Sequence, residues 1–145
     1  MAIIALIPAY NPDELLISLL CQLSSQKQFD QIVVVNDGSC CPESQAVFAD
    51  ICHLKRVTLL QHSINLGKGA ALKTGLDYIN YHFINNLVGV VTLDADGQHD
   101  IQDVIAIANQ LYQYPHRLIV GVRRFNKHMP WRSRLGNVIT KYFFR

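Results

Sequence analysis

Leu87-Val88-Gly89-Val90-Val91-Thr92-Leu93 runs straight into Asp94-Ala95-Asp96-Gly97-Gln98-His99-Asp100. The first seven residues are apolar almost without interruption and lack the polar alternation of a strand with one wet face, so they predict a strand covered on both sides. Four further runs have the same character, at residues 3–7, 32–35, 57–60 and 118–122. Five such strands separated by helical patterns predict an α/β fold, a mostly parallel sheet with crossovers and helices on both faces.

The helices are marked at their starts. Asn11 as cap, Pro12 in the first helical position and Asp13 and Glu14 at the positive end of the dipole predict a first helix ending near Lys27. A second is expected after Pro42, and a third from Lys68 and Gly69 through residues 78–83. Asp100 caps a fourth, whose stripe of Ile101, Val104, Ile105, Ala108 and Leu111 has the spacing of a core face. Residues 123–130 read as a loop and 131–145 as a last helix.

With 145 residues, 50% of them hydrophobic, the chain suits one domain, residues 1–145, and shows no low-complexity tract or solenoid-like repeat. Cys21, Cys40, Cys41 and Cys52 lack the spacing of a zinc site and read as reduced structural thiols. The apolar start lacks a basic flank and is interrupted by Pro8, Asp13 and Glu14, which argues against a signal peptide. No run approaches the roughly 18 apolar residues of a membrane span. The expected location is the cytoplasm, including the inner face of the cell membrane.

Charge is unevenly placed. Residues 1–115 hold all eleven acids and five of the thirteen Lys and Arg, a net of −6, whereas residues 116–145 hold the other eight and no acid, a net of +8. An acidic body with a basic end suits a metal site beside an anion or membrane contact; a solvated helix end is the plainer explanation.

In a parallel sheet, ligands bind outside the carboxyl ends of the strands, and two acidic motifs fall there. In extended backbone Asp94 and Asp96 share one side, about 6.6 Å apart along the chain. Two carboxylates brought to within about 4 Å repel by about 4 kcal/mol at an effective dielectric of about 20, so their convergence calls for a counterion. Mg2+ or Mn2+ accepts such oxygen ligands together with substrate phosphates, and Gln98 and His99 are further candidate ligands or phosphate partners. The alternative is a turn leading into the next helix, whose cap Asp100 supplies alone.

The second motif, Asn36-Asp37-Gly38-Ser39, places a carboxylate suited to a ribose or base edge, or else an ordinary Asp-Gly turn. Asn65-Leu66-Gly67-Lys68-Gly69-Ala70-Ala71 opens a helix with a lysine and flexible backbone near an anion, or is a plain helix start. It matches neither familiar phosphate-loop string.

Together and in order, Ile7-Pro8-Ala9-Tyr10-Asn11, Val35-Asn36-Asp37-Gly38-Ser39, Asn65 to Ala71 and Leu93 to His99 resemble the inverting family-two glycosyltransferases. The polyprenyl-phosphate sugar transferases, dolichol-phosphate enzymes included, are the most similar in look, and Gly121-Val122-Arg123-Arg124 extends the match. The resemblance implies a GT-A fold, with a donor-binding part at 1–115 and a basic segment at 116–145.

It further implies that Pro8, Ala9, Tyr10, Asn11, Asp37, Lys68, Asp94 and Gln98 bind the nucleotide sugar, and that Asp94, Asp96 and Gln98 hold Mg2+ or Mn2+. The resemblance also implies that Asp96, Arg123, Arg124 and Arg134 serve catalysis and that Arg123, Arg124, Arg132 or Arg134 meets phosphate groups. The implied partners are a nucleotide diphosphate sugar and a lipid-phosphate or saccharide acceptor, with peripheral membrane contact through the basic segment, in cell-envelope biosynthesis; no nucleic acid is implied. Ile101-Gln102 departs from the Pro and acid common in relatives, a change in how the helix begins. A short member, a nucleotide-sugar-binding module without turnover and a nucleotidyltransferase are the competing expectations. The last should carry a glycine-rich basic loop where this chain has Pro8 to Asn11.

Overall fold

The computed structural model describes residues 1–115 and 117–121. Its elements follow the order β1 (Ala2–Ala9), α1 (Leu15–Ser25), β2 (Gln31–Asn36), α2 (Pro42–Ile51), β3 (Val57–Gln61), α3 (Lys68–Phe83), β4 (Leu87–Thr92) and α4 (Ile101–Gln113). The four strands form one sheet in the order β3-β2-β1-β4, and every neighbouring pair is parallel. All eight residues of β1 are buried, as a central strand with both faces covered requires. Strands β3 and β4 flank the described sheet and are only partly buried.

Alternation along the strands divides the core in two. Ile3, Ala5, Ile7, Ile32 and Val34 face α1, α2 and α4, whose contributions include Leu16, Leu20, Phe48, Ile51 and Val104. Ile4, Leu6, Val33 and Val35 face the opposite way, against Ala71 and Ile79 of α3. Each side chain of this kind taken fully out of water contributes about 1.5–3 kcal/mol. Helices on both faces of a parallel sheet are therefore present, as expected.

Two expectations need correction. The first helix begins at Leu15, not at Pro12, and ends at Ser25. Asn11 does not cap it: its φ of 47° is left-handed, and its side-chain oxygen, the atom a cap would use, accepts from Cys41 Sγ at 3.5 Å, while Ser39 Oγ accepts its N–H at 2.8 Å. Asp13 Oδ1 meets the first helical N–H instead, that of Leu15, at 2.9 Å. The second correction concerns the expected fifth strand. Residues 118–121 carry no ladder pairing, and Leu118 is 91% exposed and Val120 68% exposed. An apolar run becomes a strand only where a partner accepts its backbone, and none does so among the described residues. Val122, the expected loop at 123–130, the expected helix at 131–145 and with them Arg123, Arg124, Arg132 and Arg134 lie outside those residues.

Candidate functional site

Parallel register places all four carboxyl ends on one edge. Ala9 pairs with Asn36, Asn36 with Gln61, and Leu6 with Thr92, so the chain leaves each strand beside the others. A cavity of about 480 Å³ opens there. Pro8, Ala9, Tyr10 and Asn11 come to it from the end of β1, Asp37 from the turn after β2, Lys68 from the first position of α3, and Asp94 and Asp96 from the segment after β4. Thus every donor-site residue expected within the described part of the chain lines one cavity, except Gln98. Gln98 is exposed, and its contact is a backbone N–H donated to Asp96 Oδ1 at 3.0 Å.

The turn after β2 is built around Asp37, which is only 3% exposed. Its Oδ1 accepts from the Leu66 N–H at 3.0 Å and meets His62 Nδ1 at 2.7 Å, and its Oδ2 accepts from the Gly67 N–H at 2.8 Å. Burial pushes this carboxyl upward, but the bonds from Leu66, His62 and Gly67 together outweigh it and hold the carboxyl below its ordinary value. The carboxylate is thus ionised with three of its roughly four acceptor positions filled, which leaves one on Oδ2.

Gly38 permits this arrangement. Its φ is +70°, and a Cβ there would stand 2.1 Å from the carbonyl carbon of Ile64 and 2.3 Å from the Asn65 nitrogen. The loop after β3 therefore rests directly on the Asp37-Gly38 turn. Ser39 secures the other side, donating its N–H to Asn36 Oδ1 at 2.8 Å while its Oγ accepts from Asn11.

Opposite this buried corner the cavity is charged and open. Lys68 Nζ lies 2.5 Å from Asp94 Oδ1, with the two side chains 61% and 48% exposed. Among the described residues no three His, Cys, Asp or Glu side chains converge to cage an ion. Two half-solvated carboxylates on a cavity wall, one already neutralised by an ammonium group, fit a cation that draws its remaining ligands from water and substrate phosphates; Mg2+ is such a cation. His99 does not line the cavity.

Sequence reasoning left out His62 and Thr74, which stand behind Asp37, as well as Pro12 and Asp13, which share the wall with Asn65 and Gly67 of the Asn65 to Ala71 motif. His62 Nε2 lies 2.8 Å from Thr74 Oγ1. No local pattern marks His62, because its partners stand 25 and 12 positions away.

Residues 4–145 match the family described as Glycosyl transferase family 2. The chain belongs to that family. Its relatives include an uncharacterized protein of Methanocaldococcus jannaschii, 30% identical over 93% of this chain and 54% of its own length. A UDP-N-acetylglucosamine–dolichyl-phosphate N-acetylglucosaminyltransferase of Methanococcus voltae is 27% identical over 92% of this chain and 58% of its own. The chain spans about half the length of these curated relatives. Among solved structures, TarS of S. aureus superimposes over 76% of the chain and 20% of its own with a TM-score of 0.51 at 23% identity, a likeness of fold. The mannosyltransferase PcManGT of Pyrobaculum calidifontis, solved with GDP-Man and Mn2+, covers 65% of the chain and 27% of its own at 25% identity, with a TM-score of 0.50. The family-two assignment and the GT-A fold expected from the sequence both stand.

Proposed function

We propose that the strand-end cavity binds a nucleoside diphosphate sugar together with Mg2+ or Mn2+, and that the bound sugar is transferred with inversion to an acceptor. The observation that carries this reading is the gathering of four motifs, from four strand ends, on one cavity wall. Pro8, Ala9, Tyr10, Asn11 and Asp37 form its nucleoside side. Asp94 and Asp96 form its diphosphate and metal side, with Gln98 adjoining. Negative charge grows on the departing diphosphate, so positive charge fixed there lowers the barrier most. A bound divalent cation supplies such charge as a Lewis acid. Lys68 is placed to add a second positive group, and Arg123, Arg124 and Arg134 are the proposed phosphate partners beyond the described residues.

A polyprenyl phosphate is the proposed acceptor class. Its phosphate, with a second pKa of about 6, is already largely anionic at neutral pH and needs no general base. The M. voltae relative is named for transfer to dolichyl phosphate, and a Trichomonas vaginalis relative, 30% identical over 72% of this chain and 33% of its own, is a dolichyl-phosphate beta-glucosyltransferase. The proposed location is the cytoplasmic face of the membrane, with the basic segment toward anionic lipid. No helix among the described residues is long and apolar enough to cross a membrane.

Calorimetry with UDP, GDP and their sugar conjugates in the presence of Mn2+ tests the donor site. Asp96→Asn should weaken Mn2+-dependent nucleotide binding at least tenfold, and an unchanged affinity would sink the metal assignment. Nucleotide-sugar binding without release of nucleoside diphosphate, whatever acceptor is supplied, would mark a binding module rather than an enzyme.

A further inference from the structure

Three contacts hold the segment between β3 and α3 in place. The first two are the acceptance of the Leu66 and Gly67 N–H groups by Asp37 and the seating of Ile64 and Asn65 over Gly38. His62 supplies the third. Its backbone N–H extends the sheet ladder one residue past β3, donating to Asn36 O at 2.9 Å, and this directs the imidazole inward, where the side chain is 9% exposed. One ring nitrogen then faces Asp37 and the other faces Thr74, in the second turn of α3.

The donor roles follow from chemistry. An ionised carboxylate only accepts, so Nδ1 carries a proton; at Nε2 a neutral ring accepts from the Thr74 hydroxyl, and a protonated ring donates to it. One ring thereby links the end of β2 to α3. That helix begins with Lys68, whose ammonium reaches Asp94 at the far side of the cavity.

We propose that His62 is a positioning residue of the donor site: by bridging Asp37 to Thr74 it fixes the one open acceptor position of Asp37 and sets the start of α3 so that Lys68 faces Asp94. The nature of the ligand rests on the donor-binding reading above, but the positioning does not. Removing the ring leaves Asp37 held by two backbone donors alone and frees α3 from the turn beneath it. A glutamine at 62 retains one donor and one acceptor on a single planar group, so it can serve both neighbours.

The test uses the full chain with His62→Ala, His62→Gln, Thr74→Val and Thr74→Ser. Two readouts are taken: amide hydrogen exchange at Leu66 and Gly67 relative to the amides of β1, and UDP and GDP affinity with Mn2+. Exchange at Leu66 and Gly67 should quicken at least tenfold in His62→Ala and Thr74→Val while β1 is unaffected. His62→Gln and Thr74→Ser should restore it. Nucleotide affinity should fall about tenfold in His62→Ala and recover in His62→Gln. If His62→Ala fails to fold, the two Thr74 variants and His62→Gln carry the same comparison.

Unchanged exchange at the two amides overturns the proposal. So does an equal loss of global stability in His62→Ala and His62→Gln with nucleotide affinity left at the wild-type value, since that describes a residue serving the core alone. A wild-type chain that binds neither nucleotide defeats the donor reading, and the exchange data then decide the positioning role by themselves.

Discussion

Three donors converge on Asp37, and the balance between its burial and their bonds has a consequence in acid. The folded carboxyl titrates below its ordinary value of 3.8, so the unfolded chain binds the proton more readily. The stability contributed by Asp37 is accordingly complete above that ordinary value and is lost as pH falls through the lower folded value. Urea unfolding followed from pH 5 down to pH 2.5 should show a steeper loss for the wild type than for Asp37→Asn, and parallel curves would contradict the ionised, three-bonded carboxylate. Lys68 and Asp94 present a different case. Both are about half exposed, and such pairs contribute only about 0–1 kcal/mol to stability. Their importance lies in competition, because the ammonium occupies the carboxylate oxygen that a cation would take. Lys68→Met should tighten Mn2+ binding without nucleotide by up to about fivefold, the equivalent of roughly 1 kcal/mol, while weakening nucleotide binding. Titration of free Mn2+ by its paramagnetic resonance signal checks the first half; weaker metal binding in the variant would count against the pair.

Among the elements, α3 joins core to site, and two of its glycines predict opposite outcomes for one substitution. Glycine inside a helix ordinarily costs about 0.5–1 kcal/mol relative to alanine. At Gly69 a Cβ would meet nothing within 4 Å, so Gly69→Ala should stabilise the chain by about that amount. At Gly75 the Cβ would stand 2.2 Å from Leu6 Cδ1, and Leu6 is fully buried on β1 and cannot retreat into solvent. Overpacking of this kind costs about 1–3 kcal/mol, which exceeds the propensity gain, so Gly75→Ala should destabilise. Denaturant midpoints for the two variants should move in opposite directions. A shift of the same sign in both would show that α3 does not pack on β1 at this separation. The helix caps separate in the same way into local and distant causes. Asp100 caps α4 by accepting from the Gln102 N–H at 2.8 Å, a bond made within three residues. Asn11 had equal cap chemistry, yet its φ is positive, Ser39, 28 positions on, accepts its N–H, and Cys41, 30 positions on, meets its side-chain oxygen.

At the scale of the whole molecule, the acids of residues 1–115 and the bases of residues 116–145 divide the chain into an acidic part and a basic end. If the proposed lipid-phosphate acceptor is correct, the basic end should favour anionic membranes, where each Lys or Arg near the surface is worth about 1 kcal/mol. Co-sedimentation with phosphatidylserine vesicles should drop after charge reversal at Arg132 and Arg134 and should weaken with salt. Sedimentation that ignores both changes would remove those residues from any membrane role.

The four strands, three of the four helix starts and most of the cavity wall were legible in the residues themselves. A strand buried on both faces must be apolar throughout, and a helix start must satisfy its own nearby N–H groups, so both leave marks within a few positions. The acidic pair at 94 and 96 was readable for the same reason, since it follows directly on such a strand. Tertiary structure alone decided the rest. Among the described residues it gave 118–121 no strand partner, because an apolar run does not name the backbone it pairs with. It moved the start of α1 to Leu15, and it placed His62 and Thr74 behind Asp37. Each of these outcomes depends on a polar or backbone group finding its partner across the fold, and such partners meet only after the parallel crossovers have brought four strand ends to one edge.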